Sequence, residues 1–285
     1  MMTSLIIGVC TTVWTLLFLT HISLAHLVHQ PDFGDFALPD VTSHGDSMHG
    51  GVKMGVLDDN CDNGKDRLAI DLAQMRQMVR ICPLRERIPV PTCGHGKRAH
   101  SPATHSSCKA PELICSKKAE SPIHECMDKA IVYDDAIPTS GAHRPIWPVY
   151  GEYSYAPPQR WLHSLEHGAA VFLYHPCANI DQLKVFKTLA TTCLRRHIIT
   201  PYNLTQELPF AVLTWTCRLM LDRVDTNIPT VVEFLKNKTM KTYESSVYQD
   251  GDYSYLLKKK AAEVGDNRDS VVCPKYKYIP AKRFL

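Results

Sequence analysis

The sequence predicts an α+β domain, a small sheet with packed helices, preceded by a Cys-rich region that disulfides staple together. Two strongly apolar segments, residues 169–174 and 210–216, have the length of buried strands. A helical pattern follows each of them, after Asn179 and from Pro229. The succession strand, helix, strand, helix is typical of α/β and α+β layers.

The first predicted element is a helix over residues 66–82, which Pro83 ends. Apolar residues recur there every three or four positions and form one stripe, which we expect to face the core: Leu68, Leu72, Met75, Val79 and Cys82. Residues 89–125 have no such period, so we expect disulfide-stapled loops there. Residues 130–133 are a short strand candidate, and the Pro- and Gly-rich residues 137–158 predict an ordered loop.

The second half of the chain gives a clearer pattern. Pro176 ends the strand predicted at residues 169–174, and either Asn179 or Asp181 can cap a helix that runs to about His197. The side chains expected on its buried side are Ile180, Leu183, Leu189, Cys193 and Leu194. A second buried strand, residues 210–216, precedes a short helix at residues 229–237. We therefore place the α+β core at residues 131–240, between a Cys-rich region at 61–130 and a basic tail at 241–285.

The N-terminus has the pattern of a secretory signal peptide, predicted as residues 1–25. Leu5 to Leu19 is mostly apolar, and Ser23 and Ala25 are small residues at the cleavage positions. Residues 26–60, rich in Gly, His, Asp and Pro, are predicted to be irregular. No later apolar stretch reaches the roughly 20 residues of a membrane span. We expect a protein secreted or held in the lumen of the secretory pathway, and anchored in the membrane if the signal is not cleaved.

Cysteine usage agrees with an oxidising compartment. After removal of the leader ten cysteines remain, and all ten are predicted to form disulfides: Cys61, Cys82, Cys93, Cys108, Cys115, Cys126, Cys177, Cys193, Cys217 and Cys273. Six lie in the first group, to Cys126, and four in the second. Pairing within each group still leaves many connectivities open. Asn203 and Asn237 begin N-glycosylation sequons, so we expect a glycoprotein.

The charge distribution gives no indication of nucleic-acid binding. The net charge is +3, and no basic stripe with interleaved aromatic residues occurs. The run Lys258-Lys259-Lys260 is typical of a solvated face. The partner we expect is a protein, which the sequence does not identify.

One cluster carries the types of residue that chemistry needs: His143, His163, Glu166 and His167. His163 and His167 are four residues apart, so they share a face on a helix and also on a strand. Imidazoles with or without the carboxylate could hold Zn²⁺ or Cu²⁺. On a helix, His163-x-x-Glu166-His167 also matches the zinc-peptidase pattern in which Glu is the general base. The third reading is structural, with each polar group satisfied by hydrogen bonds.

Short motifs in order carry a resemblance: residues 138–143 (PTSGAH), 151–153, 163–168 (HSLEHG), Tyr174 and 213–215. From about Ile131 to Lys238 the chain resembles a domain of unknown function found in bacterial membrane-anchored proteins and in the animal tumour protein p53-inducible protein 13. The resemblance implies that a family-wide site would lie at His143, His163, Glu166 and His167. It also implies a link to growth control, in the sense of growth suppression, and a C-terminal membrane span that this sequence does not show.

The sequence therefore favours a non-catalytic binding or interaction protein, in which the histidines are a candidate site for a zinc or copper ion. The first alternative is a metal-dependent hydrolase with Glu166 as general base. The second is a purely structural extracellular domain.

Overall fold

A mixed sheet of seven strands is the centre of the part of the chain that the computed structural model describes, residues 50–65, 69–80, 82, 87–91 and 108–276. In chain order the strands are β1 Glu112–Cys115, β2 Gly151–Tyr153, β3 Ala170–Tyr174, β4 His197–Pro201, β5 Phe210–Thr214, β6 Cys217–Leu221 and β7 Leu257–Lys260. They lie in the order β1-β6-β5-β3-β4-β2-β7. β4 pairs parallel with β3 and with β2, and the other pairs are antiparallel. The α+β class is confirmed.

Four α-helices accompany the sheet in the described residues: α1 Ala69–Arg80, α2 Pro158–Glu166, α3 Ile180–Cys193 and α4 Ile228–Lys238. Alternate strand residues face opposite sides. Phe172 on one face packs with Phe186 of α3, with ring centroids 5.2 Å apart, in a cluster that also includes α4. Val171 on the other face belongs to the cluster around Trp161 of α2. The sheet thus separates two apolar cores, and α2 lies on the second.

Most predicted elements of the second half are confirmed. β3, β5 and α4 lie where the patterns put them, and α3 begins after Asn179, whose side chain accepts hydrogen bonds from the backbone N–H groups of Asp181 and Gln182. The predicted end of α3 at about His197 is wrong, because the helix ends at Cys193 and His197 begins β4. Ile180 was wrongly expected in the core, since 46% of it is exposed. Gln182 is buried instead because its side-chain oxygen accepts the N–H of Val224 at 2.7 Å. Positions two apart on a helix point about 200° apart, so this turns Ile180 outward.

Other elements differ from the prediction. α1 confirms the predicted first helix from Ala69 to Arg80, whereas Cys82, predicted as its last residue, is not helical, and residues 130–133 form no strand. β1 lies within the segment predicted as loops, and it pairs with β6. β2 likewise lies within residues 137–158, which were predicted to be an ordered loop, and it pairs with β4 and β7. The basic run of residues 258–260 belongs to β7, whose lysines are exposed at the edge of the sheet. Edge strands tolerate such charges because one face and one side remain in water.

Three disulfides are defined in the described residues, Cys61–Cys126, Cys115–Cys217 and Cys193–Cys273. The disulfides are not confined to the two sequence groups, because Cys115–Cys217 joins them across β1 and β6. Adjacent strands bring these cysteines together although 102 positions separate them. Cys108 is also disulfide-bonded.

The segment predicted as the basic tail is described as far as Tyr276. It is attached to the core by the pairing of β7 with β2 and by the Cys193–Cys273 disulfide. The predicted signal peptide, residues 26–49 of the irregular segment and residues 277–285 lie outside the described residues. Within the described part of the chain, no helix combines the length and the apolar character needed to cross a membrane.

Candidate metal centre

Four histidine side chains meet beside α2, and each residue is completely buried: His124, His143, His163 and His167. His163 is central, with its ring centroid 4.8 Å from that of His124, 4.7 Å from that of His143 and 4.6 Å from that of His167. The indole of Trp147 covers His163 and His167 at 5.0 and 4.6 Å. Polar rings of one kind are therefore packed against one another without solvent.

Backbone pairing places the first two histidines side by side. The N–H of His143 donates to the Ile123 carbonyl at 2.9 Å, and the N–H of Glu125 donates to the His143 carbonyl at 2.9 Å. This isolated parallel bridge sets His124 against His143. The Cys61–Cys126 disulfide lies next to it, so the Cys-rich region contributes directly to the cluster.

The C-terminal end of α2 positions the other two histidines of the cluster. His163 lies in the last turn, and His167 is the C-cap residue. Beyond it, the N–H of Gly168 bonds the Leu165 carbonyl at 2.9 Å and the N–H of Ala169 bonds the Ser164 carbonyl at 3.0 Å. This is a Schellman ending, which needs a left-handed residue, and Gly168 has φ +77°. The glycine of the HSLEHG segment thus fixes where His167 points.

A carboxylate reaches the cluster from the C-terminal segment. Glu244 Oε2 lies 3.2 Å from His167 Nε2, and its side chain is 10% exposed. The guanidinium of Arg196 holds this turn, because it donates to the carbonyls of Ser245 and Val247 as well as to that of His167. Arg196 therefore ties the Glu244 turn to the end of α2.

In His143 and in His163, a hydrogen bond to a backbone carbonyl determines which ring nitrogen can bind a metal. His143 Nδ1 lies 2.8 Å from the Gly141 carbonyl, and His163 Nδ1 lies 2.7 Å from the Arg144 carbonyl. A carbonyl can only accept, so both Nδ1 atoms carry the proton. Each Nε2 is then the atom that can bind a metal, and the carbonyl fixes the ring orientation.

Burial keeps His163 uncharged. Its pKa is well below the usual 6.5, first because burial disfavours the charged form and then because His167, His143 and His124 would repel a second charge. Burial also lowers the pKa of His167, and the nearby Glu244 carboxylate opposes that shift. A neutral imidazole is the form that ligates metals.

Two overlapping sets of possible metal ligands result. One consists of His124, His143 and His163, and the other of His163, His167 and Glu244. Within each set the ligand atoms lie within 4.8 Å of one another. Zn–N bonds of about 2.0–2.1 Å put ligand nitrogens roughly 3–4 Å apart, so a small contraction would enclose an ion.

The sequence-predicted residues are divided by this geometry. His143, His163 and His167 come together, whereas Glu166 is in neither set, and its Oε2 lies 3.1 Å from His143 Nε2. Sequence reasoning missed His124 and Glu244. His124 lies two residues before Cys126, so the disulfide predicted for that cysteine was a signal that could have pointed to His124. Glu244 lies in the predicted tail, where no local sequence pattern marks it.

The two asparagines of the predicted glycosylation sequons lie on the surface. Asn203 and Asn237 are exposed, as glycan attachment would require, and glycosylation stays a prediction.

Of the cysteines that were predicted to form disulfides, Cys82 is half-buried and Cys177 is buried.

The fold and the site together define an α+β protein with a buried histidine and carboxylate cluster. Residues 124–251 match the model of a family described as a protein of unknown function (DUF3105), which supports the predicted similarity to such a family. The matched segment contains every residue of both ligand sets. Neither the search of curated proteins nor the search of solved structures found a match.

Proposed function

We propose that this protein is a metal-binding module that holds a zinc or copper ion on its buried imidazoles. The observation that carries the proposal is His163, whose ring is fully buried and whose Nε2 has no hydrogen-bond partner among the described residues. A buried polar atom without a partner costs about 1–3 kcal/mol, and most buried polar groups avoid that cost. A metal ion at the cluster would supply the partner.

The donor atoms favour particular metals. Imidazole nitrogens suit zinc and copper, whereas Ca²⁺ and Mg²⁺ take mainly oxygen ligands. One set offers three imidazoles and the other offers two imidazoles and a carboxylate. Both are donor sets that Zn²⁺ accepts in proteins.

The test is metal content and thermal stability of the purified protein beside two matched variants. Asn can keep a donor close to the place of Nδ1 but has no group at Nε2, so His163→Asn can retain the bond to the Arg144 carbonyl. His197→Asn is the control, because His197 is also buried and its Nδ1 contacts the Leu194 carbonyl at 2.7 Å.

We expect about one equivalent of metal in the wild type and in His197→Asn, and a loss of at least tenfold in occupancy in His163→Asn. A chelator should lower the Tm of the first two and leave that of His163→Asn unchanged. Absence of metal from the wild type after zinc and copper are offered would leave the structural reading in its place.

A hydrolase is the second candidate, because the distant glutamate that zinc peptidases need is present. Glu244 joins His163 and His167, and Glu166 lies between these histidines on α2. Against it, cavities of about 280 and 320 Å³ are lined by other residues. In this reading Glu166→Gln keeps the metal and abolishes cleavage of a quenched fluorogenic peptide library by the zinc-loaded protein. No cleavage by the wild type would remove this candidate.

We also propose that the module works in the secretory pathway or outside the cell. Three disulfides among the described residues support this, since such bonds persist in oxidising compartments. Secretion of tagged protein into the medium, with size loss on glycosidase treatment, would test both export and the glycans. A binding role towards a protein partner and the link to growth control stay predictions, the latter from the resemblance alone.

A further inference from the structure

The two ligand sets share a single residue, His163, and the sharing restricts how metal can bind. Its Nδ1 is engaged with the Arg144 carbonyl at 2.7 Å, so only Nε2 remains. One nitrogen lone pair binds one ion. The two sets therefore cannot both be complete at the same time, and they are alternative positions for one ion.

The two positions differ in depth. His124, His143 and His163 are completely buried. The other set ends in Glu244, whose neighbour Tyr243 is 82% exposed. The second carboxylate, Glu166, ends a helix in which every residue is buried, and its side chain is 7% exposed against 10% for Glu244. The Glu244 end is therefore the outward end of the cluster.

The two positions also differ in the types of ligand that they offer. The outer one holds a carboxylate, which attracts a cation and can replace part of its hydration shell. The inner one consists of three imidazoles, the softer set. The Glu166 carboxylate lies beside this inner set, with its Oε2 3.1 Å from His143 Nε2.

We propose that Glu244 and His167 form an entrance position, from which a Zn²⁺ or Cu²⁺ ion passes to His124 and His143 while His163 Nε2 remains bound throughout. The inference rests on the proposed metal-binding function and adds a route and a direction to it. Glu244 then governs how fast the ion exchanges, and His143 governs how tightly it is held.

The experiment mixes the metal-free protein with Cu²⁺ and follows quenching of tryptophan fluorescence in a stopped-flow instrument, since Trp147 covers His163 and His167. Dissociation is followed with a chelator, and the dissociation constant by competition. The variants are Glu244→Gln, His143→Asn and the control Glu207→Gln, which removes an exposed carboxylate elsewhere.

We expect Glu244→Gln to slow association and dissociation alike, by tenfold or more, with an unchanged Kd and one ion bound. His143→Asn should associate at the wild-type rate but release the ion at least tenfold faster. Glu207→Gln should match the wild type. An unchanged association rate in Glu244→Gln with a weaker Kd would make Glu244 an ordinary ligand and overturn the route, as would two ions bound per wild-type chain.

Tyr243→Lys keeps the test decisive if Glu244→Gln does not fold. Tyr243 is exposed, so a lysine there adds a repelling charge beside Glu244 with little effect on packing. We expect slower association than in Val271→Lys, whose position is 58% exposed and outside the cluster, and equal rates would overturn the route. A wild type that binds no Cu²⁺ would instead refute the proposed function itself.

Discussion

At the scale of single residues, the site depends on backbone groups that orient side chains. The carbonyls of Gly141 and Arg144 fix the histidine rings, and Gly168 fixes the chain direction after His167. The sequence predicted the proximity of His163 and His167, because a four-residue spacing survives uncertainty about helix or strand. It could not predict the ring orientations, since the accepting carbonyls belong to a loop without periodicity.

Gly168 gives the first residue-scale prediction. A Cβ built there would lie 2.9 Å from the Met240 Cα, in addition to the left-handed φ. We expect Gly168→Ala to lower the free energy of unfolding by about 2–4 kcal/mol, measured by urea denaturation. Gly265→Ala is the control, because Gly265 has φ +86° but no atom within 4 Å, and should cost only about 1 kcal/mol. Equal costs would show that the contact with Met240 is unimportant.

His197 gives a pH prediction. Burial, the largest cause, lowers its pKa to about 4 from the usual 6.5. Between these values the unfolded chain binds a proton that the folded protein does not, so stability is complete above pH 6.5 and falls as the pH drops towards 4. This one group accounts for about 3 kcal/mol of that loss.

His197→Asn should therefore flatten the pH dependence of unfolding between pH 4 and 6.5 by up to one proton. The measurement is urea denaturation of the metal-free protein and the variant at a series of pH values in that range. The same slope in both proteins would contradict the assignment.

At the scale of elements, apolar sequence patterns predicted the strands that are buried on both faces of the sheet. β3 and β5 are continuous apolar runs and were found, whereas β1 and β7 are short, exposed edge strands and were not. β6 was not predicted, because Arg218 interrupts its apolar pattern. The Arg218 guanidinium donates a hydrogen bond to the carboxylate of Asp135, which is far away in the sequence. Edge pairing and long-range ion pairs leave little trace in local sequence.

Arg196 connects elements around the site. Its guanidinium donates to the carbonyls of His167, Ser245, Val247 and Arg268. Lysine cannot reproduce this fork, so several buried carbonyls would lose their donor. We expect Arg196→Lys to reduce the free energy of unfolding by about 3 kcal/mol in urea titrations.

Arg223→Lys is the comparison for that variant. Its guanidinium pairs with the exposed Asp225, so the expected cost is below about 1 kcal/mol. A similar loss in the free energy of unfolding for both substitutions would mean that the hydrogen bonds of Arg196 to backbone carbonyls add little to stability.

The disulfides give a further prediction at this scale. If all ten cysteines pair, the Cys115–Cys217 bridge leaves odd numbers in both sequence groups, so at least one more bridge must cross. We expect Cys82–Cys177. The N–H of Ile88 bonds the Cys177 carbonyl at 2.9 Å, and Cys82 lines the same cavity as Pro176. Mass spectrometry of a non-reduced digest should find these two peptides joined, and a Cys177 peptide linked elsewhere would refute the pairing.

At the scale of the whole molecule, the site is assembled from segments far apart in the chain. His124 comes from the Cys-rich region, His163 and His167 from α2, and Glu244 from a turn after α4. The segment between residues 50 and 65 is attached by the buried pair Arg160–Asp62, with N–O distances of 2.5 and 3.0 Å. Such a site is visible in a sequence only in part, because spacing reports neighbours on one element and not those that the fold brings together.

The proposed function depends above all on one atom, His163 Nε2, which binds the metal ion inside this cluster. The most direct measurement is anomalous diffraction at the zinc edge, on crystals of the full chain grown with Zn²⁺. We predict one peak about 2.0–2.1 Å from His163 Nε2, with His124 and His143 as further ligands. Zinc peaks that occur only on surface residues, with no density at the cluster, would contradict it.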